Sequence, residues 1–277
     1  MTRLLPLLLL AASCSSVEPD VWVDVQGARV HSRIIGPRFA PVVVLDGGAG
    51  QDLRAWSAVA EELSKEARVV TWSRPGLGSS ELGLVGRGSP RIVEELRIVL
   101  EALEVEPPYV LVGNAVGSFH VRAFAAMYRD EVAAMVLIDP SHEDWLKRLK
   151  LTRSTYEWRE MGNAFHKEVN LLPEGARREF ASLEEDSARM TRLPTLPAIP
   201  VWILSCTRFG DEERAEGRRP EDVLLWEELH RELASSMHRD STVEHVTRSD
   251  LGDDVLRASP ETVAEGVRWA IEELRRR

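Results

Sequence analysis

The stretch Val110-Leu111-Val112-Gly113-Asn114-Ala115-Val116-Gly117 constrains this chain more than any other. An apolar run meets two glycines four positions apart, and helix-forming sequence follows. This is the form of the Gly-x-Ser-x-Gly turn, a sharp strand-to-helix corner that pushes its middle Ser out to attack a carbonyl. Here the middle residue is Ala115. A methyl group has no lone pair and cannot serve as a nucleophile. The turn specifies a layered α/β architecture and lacks the residue that such a turn displays.

The rest of the chain supplies the layers. Residues Val21 to Val25 and Ala28 to Ile34 alternate apolar and polar around Gln26-Gly27, which reads as a hairpin at a sheet edge. Pro41 to Leu45, Val69 to Trp72, Tyr109 to Val112, Met135 to Ile138 and Val201 to Ser205 are apolar runs of strand length, as expected of strands buried on both faces. Thr242 to Val246 adds a last strand. Helical spacing covers Trp56 to Ala67, Pro90 to Leu103, Val116 to Tyr128, Glu221 to Ala234 and Pro260 to Leu274. Ser89 stands as cap before the second of these, with Pro90 at its first position. The alternation breaks once. Residues 141–197 are rich in charge and helix formers and are closed by Pro194, Pro197 and Pro200. A segment of that length buries its own core poorly. The expected fold is therefore α/β: a doubly wound, mostly parallel eight-stranded sheet over residues 21–275, with a helical cap insertion at 141–197.

A chain of 277 residues is long enough for one such domain. Its net charge of −10 makes nucleic acid a poor partner, because phosphate binding needs clustered Lys and Arg. The first residues read separately. Arg3, the apolar run Leu4 to Ala12 and the small residues Ser13 to Ser16 have the form of an export signal over residues 1–16. The run is shorter than the roughly 20 apolar residues that span a bilayer. Ala12-Ser13-Cys14 resembles a bacterial lipobox, whose Cys is acylated and becomes the new N-terminus, with Ala11 where Leu is usual. The expectation is a lipid-anchored protein of the cell envelope, with Cys14 as the lipidation site and the membrane as a partner. A secreted or periplasmic soluble protein, or an artefact of the start site, is the alternative. Cys206 lies in an apolar run and reads as a buried, inert thiol.

Further motifs fall in a recognisable order. Leu45-Asp46-Gly47-Gly48-Ala49-Gly50 follows the first buried strand. Trp72-Ser73-Arg74-Pro75-Gly76-Leu77-Gly78-Ser79-Ser80 follows the next. Pro107-Pro108 leads into the Gly113 turn, and Ala125 to Val132 leads to a strand ending in Asp139-Pro140-Ser141-His142-Glu143. In this order and spacing they resemble the α/β-hydrolase fold family, and one exported bacterial branch of it. The resemblance covers about residues 21–275. It implies an oxyanion loop at 45–50, a nucleophile position at Ala115 and a general base in the loop before Pro260. Matching that loop puts Asp253 in the base position. A two-residue slip of register changes nothing, because no His follows His245. The acid of such a triad would be Asp211, or Asp139 if it follows the sixth strand.

Nucleophile and base are thus both missing from the pattern. Loss of either costs roughly six orders of magnitude in turnover. The leading expectation is a non-catalytic homologue, a pseudohydrolase, that binds a small apolar or acyl ligand or acts as a scaffold. Gly47, Gly48, Asn114, Ala115 and Val116 would line the binding point, with backbone N–H groups of Val116 and Gly48 holding an oxygen. An apolar pocket is expected under the cap, with Ala115 as its floor. No cofactor and no metal are expected. The second expectation is an active hydrolase of esters or related acyl compounds, with a site built from Asp253, Asp211, Asp139 and Asp46. A carboxylate cluster of that kind could also hold a hard cation. A third recruits Ser118 with His120 or His142, residues that ordinarily pack helix on sheet. Trp145 and Trp158 are the cap residues best suited to touch a ligand.

Overall fold

The computed structural model describes residues 20–83, 86–211 and 217–277. The export-signal reading, with Cys14, lies outside the described residues. Eight strands form one sheet: β1 Val21–Val25, β2 Ala28–Ile35, β3 Val42–Asp46, β4 Arg68–Trp72, β5 Tyr109–Asn114, β6 Val132–Ile138, β7 Val201–Cys206 and β8 Val243–Arg248. Their order is β1-β2-β4-β3-β5-β6-β7-β8. The β1–β2 and β2–β4 pairs are antiparallel, and the rest are parallel. The expected doubly wound, mostly parallel eight-stranded sheet is the observed one.

Helices α1 Ser57–Leu63, α2 Ser89–Ala102, α3 Gly117–Met127, α7 Pro220–Ser235, α8 Val255–Ala258 and α9 Pro260–Arg276 flank the sheet. Period-two alternation along the strands sends side chains to both faces, and each face has its own core. Val44, Leu111, Met135 and Ile203 pack with Ile92, Leu96, Phe119 and Phe124 of α2 and α3 on one face. Val43, Leu45, Val112 and Leu204 pack with Val59, Leu63, Val263 and Val267 of α1 and α9 on the other.

Three helices occupy the segment between β6 and β7: α4 Trp145–Leu151, α5 Thr155–Val169 and α6 Glu174–Met190. They differ in how they are held. Helix α6 is pinned, with the Gly175 backbone so close to Gly76 that a β-carbon on Gly175 would lie 2.5 Å from the Gly76 carbonyl oxygen. Helix α5 has no buried residue. The cap also corrects a local expectation. Ser89 does not cap α2; its hydroxyl has no partner, and its N–H is bound by both carboxylate oxygens of Asp186 from α6, at 2.9 and 3.0 Å. A cap-helix carboxylate thus takes the place of the local cap.

Candidate functional site

The corner between β5 and α3 has the strained geometry that its glycines foretell. Ala115 takes φ of +46°, a left-handed conformation costly for a residue with a β-carbon. The two flanking positions tolerate only hydrogen. A β-carbon on Gly113 would lie 2.7 Å from the Gly117 carbonyl oxygen, and one on Gly117 would lie 2.4 Å from that of Asp46. The Ala115 N–H donates to the Ile138 carbonyl at 3.0 Å, and its carbonyl accepts from Ser118 and Ser141 at 3.0 and 3.1 Å. The tip of the turn is a half-buried methyl group.

The loop expected to hold an oxyanion, 45–50, lies directly against it. A β-carbon on Gly48 would sit 3.4 Å from the Ala115 methyl. The Gly48 N–H, expected to aim at a ligand oxygen, instead donates to Gln51 Oε1 at 2.8 Å. A side-chain amide of the same loop satisfies it internally, so Gly48 does not offer that donor. Asn114 is likewise engaged: its Nδ2 donates to the Ile138 carbonyl at 3.1 Å. Val116 N–H has no acceptor among the described residues and remains the one donor of the expected pair that is open.

Beneath the loop is a buried charge network. Arg74 donates through Nη1 to Asp46 Oδ1 (2.9 Å) and the Gly47 carbonyl (2.9 Å), and through Nη2 to the Gly48 carbonyl (2.7 Å). Its Nε and Nη2 grip both oxygens of Glu179 from α6, at 2.7 and 2.9 Å. Glu179 also accepts from the Gly50 N–H at 3.2 Å. Asp46 accepts from Trp72 Nε1 at 3.1 Å and lies 2.5 Å from His120 Nδ1. All four charged or titratable side chains are buried. Burial alone would raise the carboxyl pKa values of Asp46 and Glu179, but the Arg74 guanidinium overrides it and holds both below the ordinary carboxylate range. Arg74 and Glu179 were not among the residues expected to build this site. Arg74 stood only in a turn motif, and Glu179 lies in a helix whose local sequence is charged throughout.

The four expected aspartates have different surroundings. Asp46 belongs to the network just described. Asp139, at the end of β6 with φ of +44°, is buried; its Oδ1 accepts from Cys206 N–H at 3.0 Å and Trp226 Nε1 at 2.8 Å. Burial pushes its carboxyl up to about 7, and the Asp253 charge adds to the rise. Asp253 itself is on the surface, its side chain 62% exposed and ion-paired with Arg218. Asp211 is exposed beside the residues outside the description.

The remaining candidates have structural partners. Ser118 Oγ approaches the Ser141 carbonyl at 3.4 Å, and His142 Nδ1 accepts from the Asp144 N–H at 3.1 Å. Trp145 packs edge-on against Trp226, with ring centroids 4.7 Å apart, and Trp158 lies under Lys150. A polar chain that sequence reading missed runs beside Asp139. His230 Nε2 donates to the Pro140 carbonyl at 2.7 Å, so its Nδ1 accepts from the Ser205 hydroxyl at 2.7 Å. His245 Nε2 then donates to Ser205 Oγ, also at 2.7 Å. Burial drops His230 to about 3, which keeps it neutral. Cys206 is a free, buried thiol whose pKa burial pushes up.

Two clefts among the described residues measure about 360 and 320 Å³. The first lies at the opposite end of the sheet, and the second lies between the start of α2 and helix α6. Ala115 lines neither.

A mostly parallel sheet with this strand order, a strained β5–α3 corner and a helical insertion after β6 defines the class of hydrolase-fold proteins. The chain belongs to the alpha/beta hydrolase fold family, whose model matches residues 40–238. It is similar to the uncharacterized protein YqjL of Bacillus subtilis, with 25% identity over 221 residues, 78% of this chain and 80% of that one. Among solved structures it resembles Cfl2 of Burkholderia cenocepacia, at a TM-score of 0.64 and 20% identity, covering 90% of this chain and 94% of that one. It also resembles a thermophilic esterase of Thermogutta terrifontis, at a TM-score of 0.62 and 20% identity, covering 93% and 99%.

Proposed function

We propose that this protein is a non-catalytic member of the family that acts by binding, lipid-anchored at the cell envelope through Cys14. The observation that carries the reading is the corner itself: the strained turn is intact and presents the methyl of Ala115. Three features support it. Asp253, in the loop where a base belongs, is an exposed carboxylate paired with Arg218. The Gly48 donor is occupied by Gln51. Helix α5, the least buried part of the cap, carries Trp158, Met161, Phe165 and Val169 at helical spacing, with Met161 and Phe165 exposed. The stripe is only partly covered by its neighbours, with Phe165 edge-on against Phe180 of α6 at 5.5 Å between ring centroids, and it leaves apolar surface in solvent. Binding through the cap fits these features better than a small ligand resting on Ala115.

A second reading rests on Asp139. A buried carboxyl that titrates near neutral pH can act as a general base toward water without a covalent intermediate. Hydrolysis of short p-nitrophenyl esters separates the two. The expected result is no turnover above buffer, equal in wild type and Asp139→Asn. Turnover that persists through re-purification and disappears in Asp139→Asn would replace the first reading by the second.

A further inference from the structure

At the pole of the sheet opposite the elbow, a large apolar side chain stands in solvent beside an apolar hollow. Phe39 is 97% exposed at the tip of the turn joining β2 to β3. The turn is firmly mounted: Ala40 N–H bonds the Pro37 carbonyl at 3.2 Å, and Arg68 Nη1 bonds the Gly36 carbonyl at 2.9 Å. Phe39 forms one rim of the cleft of about 360 Å³, whose walls include Pro41, Pro107, Pro108 and Leu274. That volume accepts a phenyl ring. The cleft's one acidic wall residue is Glu106, and Arg38 precedes the phenyl knob. Arg38 and Glu106 are exposed, and neither has an ion-pair partner among the described residues.

We propose that this pole is a self-association surface, occupied by a second copy of the chain. Knob and hole lie on one patch, and the charge beside the knob is opposite to the charge on the cleft wall. A patch carrying both halves of a contact is self-complementary, which a two-fold axis through the rim satisfies. Phe39 of each copy enters the cleft of the other, and each Arg38 meets the other copy's Glu106. The contact leaves the elbow pole and the cap free. It does not rest on the functional reading above.

The test is sedimentation velocity on the full chain in one mild detergent, across a dilution series. Wild type is expected to shift from monomer to dimer with concentration. Phe39→Ala removes no intramolecular contact of a buried group, so its melting temperature should match wild type while its dimerisation weakens by about tenfold or more. Arg38→Glu and Glu106→Arg should each weaken the dimer, and the double variant should restore it. A chain that stays monomeric throughout, a dimer indifferent to Phe39→Ala, or a charge-swapped double variant no better than its parents overturns the proposal.

Discussion

The β5–α3 corner and the loop before Pro260 are built to different standards. On the elbow side, Gly113 and Gly117 leave no room for a β-carbon, and Asp46, Arg74, Glu179 and His120 are sealed from solvent. In the loop before Pro260, Asp253 turns an exposed side chain toward a surface arginine, although Leu251, Gly252 and Val255 around it are buried. The difference shows which parts of such a centre are also parts of the fold. The elbow and the loop beside it join β3, β5, α3 and the cap, so their geometry is enforced by packing whether or not chemistry occurs. At the position expected for a base, the side chain itself pairs with Arg218 at the surface and enforces none of that packing.

The largest test of this contrast is Arg74. It bridges two buried carboxylates and ties down two loop carbonyls, so Arg74→Ala leaves Asp46 with His120 and Glu179 with the more distant Arg87 as their remaining partners. Removing one partner of a buried ion pair costs about 3–5 kcal/mol. Urea denaturation should show a loss of that order and a loosened cap, since Glu179 is one of the α6 anchors. The pH sign follows from the depressed carboxyls. Their folded pKa values lie below the unfolded ones, so their contribution is present above the ordinary carboxylate range and is lost as pH falls through the folded values. A loss below 1 kcal/mol for Arg74→Ala would make the network incidental and erase the contrast.

Asp139 tests the same idea from within the sheet. Its folded pKa, about 7, lies above the ordinary value of 3.8. For an acid raised in this way the folded state holds its proton longer than the unfolded one. Stability is then full below the unfolded pKa and falls as pH rises toward the folded one. Asp139→Asn keeps an acceptor for Cys206 and Trp226 and has no charge to bury. The difference in stability between Asn and wild type should be near zero at pH 4. It should grow to an order of 2–4 kcal/mol in favour of Asn by pH 8. Reading the difference is essential, because His230, depressed to about 3, contributes the opposite slope in both proteins. A difference that stays flat from pH 4 to pH 8 would mean that Asp139 titrates as an ordinary surface carboxylate.

What could be read from the chain, and what could not, divides along the same line. Strands β3 to β7 announce themselves because burial on both faces writes continuous apolar runs, and the Gly113–Gly117 spacing announces the corner because only glycine fits there. Local periodicity says nothing about which charges are buried. Glu179 and Asp186 look like solvated residues of a charged helix, yet they dock on Arg74 and on the N-terminus of α2. Gln51 carries no pattern at all, and its bond to Gly48 emerges only once the loop is folded back. Asp253 is placed by matching Gly252-Asp253 within the loop before Pro260, which is a statement about order along the chain and not about exposure.

The smallest expected effect completes the comparison. Asp253→Ala removes a carboxylate whose side chain is 62% exposed and whose partner, Arg218, is itself 40% exposed. Exposed pairs lose most of their Coulomb attraction to solvent and to the entropy of two long side chains, so stability should change by less than about 0.5 kcal/mol. The same substitution removes a negative charge that helps to raise Asp139. Its visible consequence should therefore be a slightly lower apparent pKa for Asp139, seen as a shift in the pH at which the Asp139→Asn difference develops. Both outcomes follow if Asp253 acts at a distance through its charge. A destabilisation of several kcal/mol would instead show that the base loop is held as firmly as the elbow, and the two sides would no longer differ in kind.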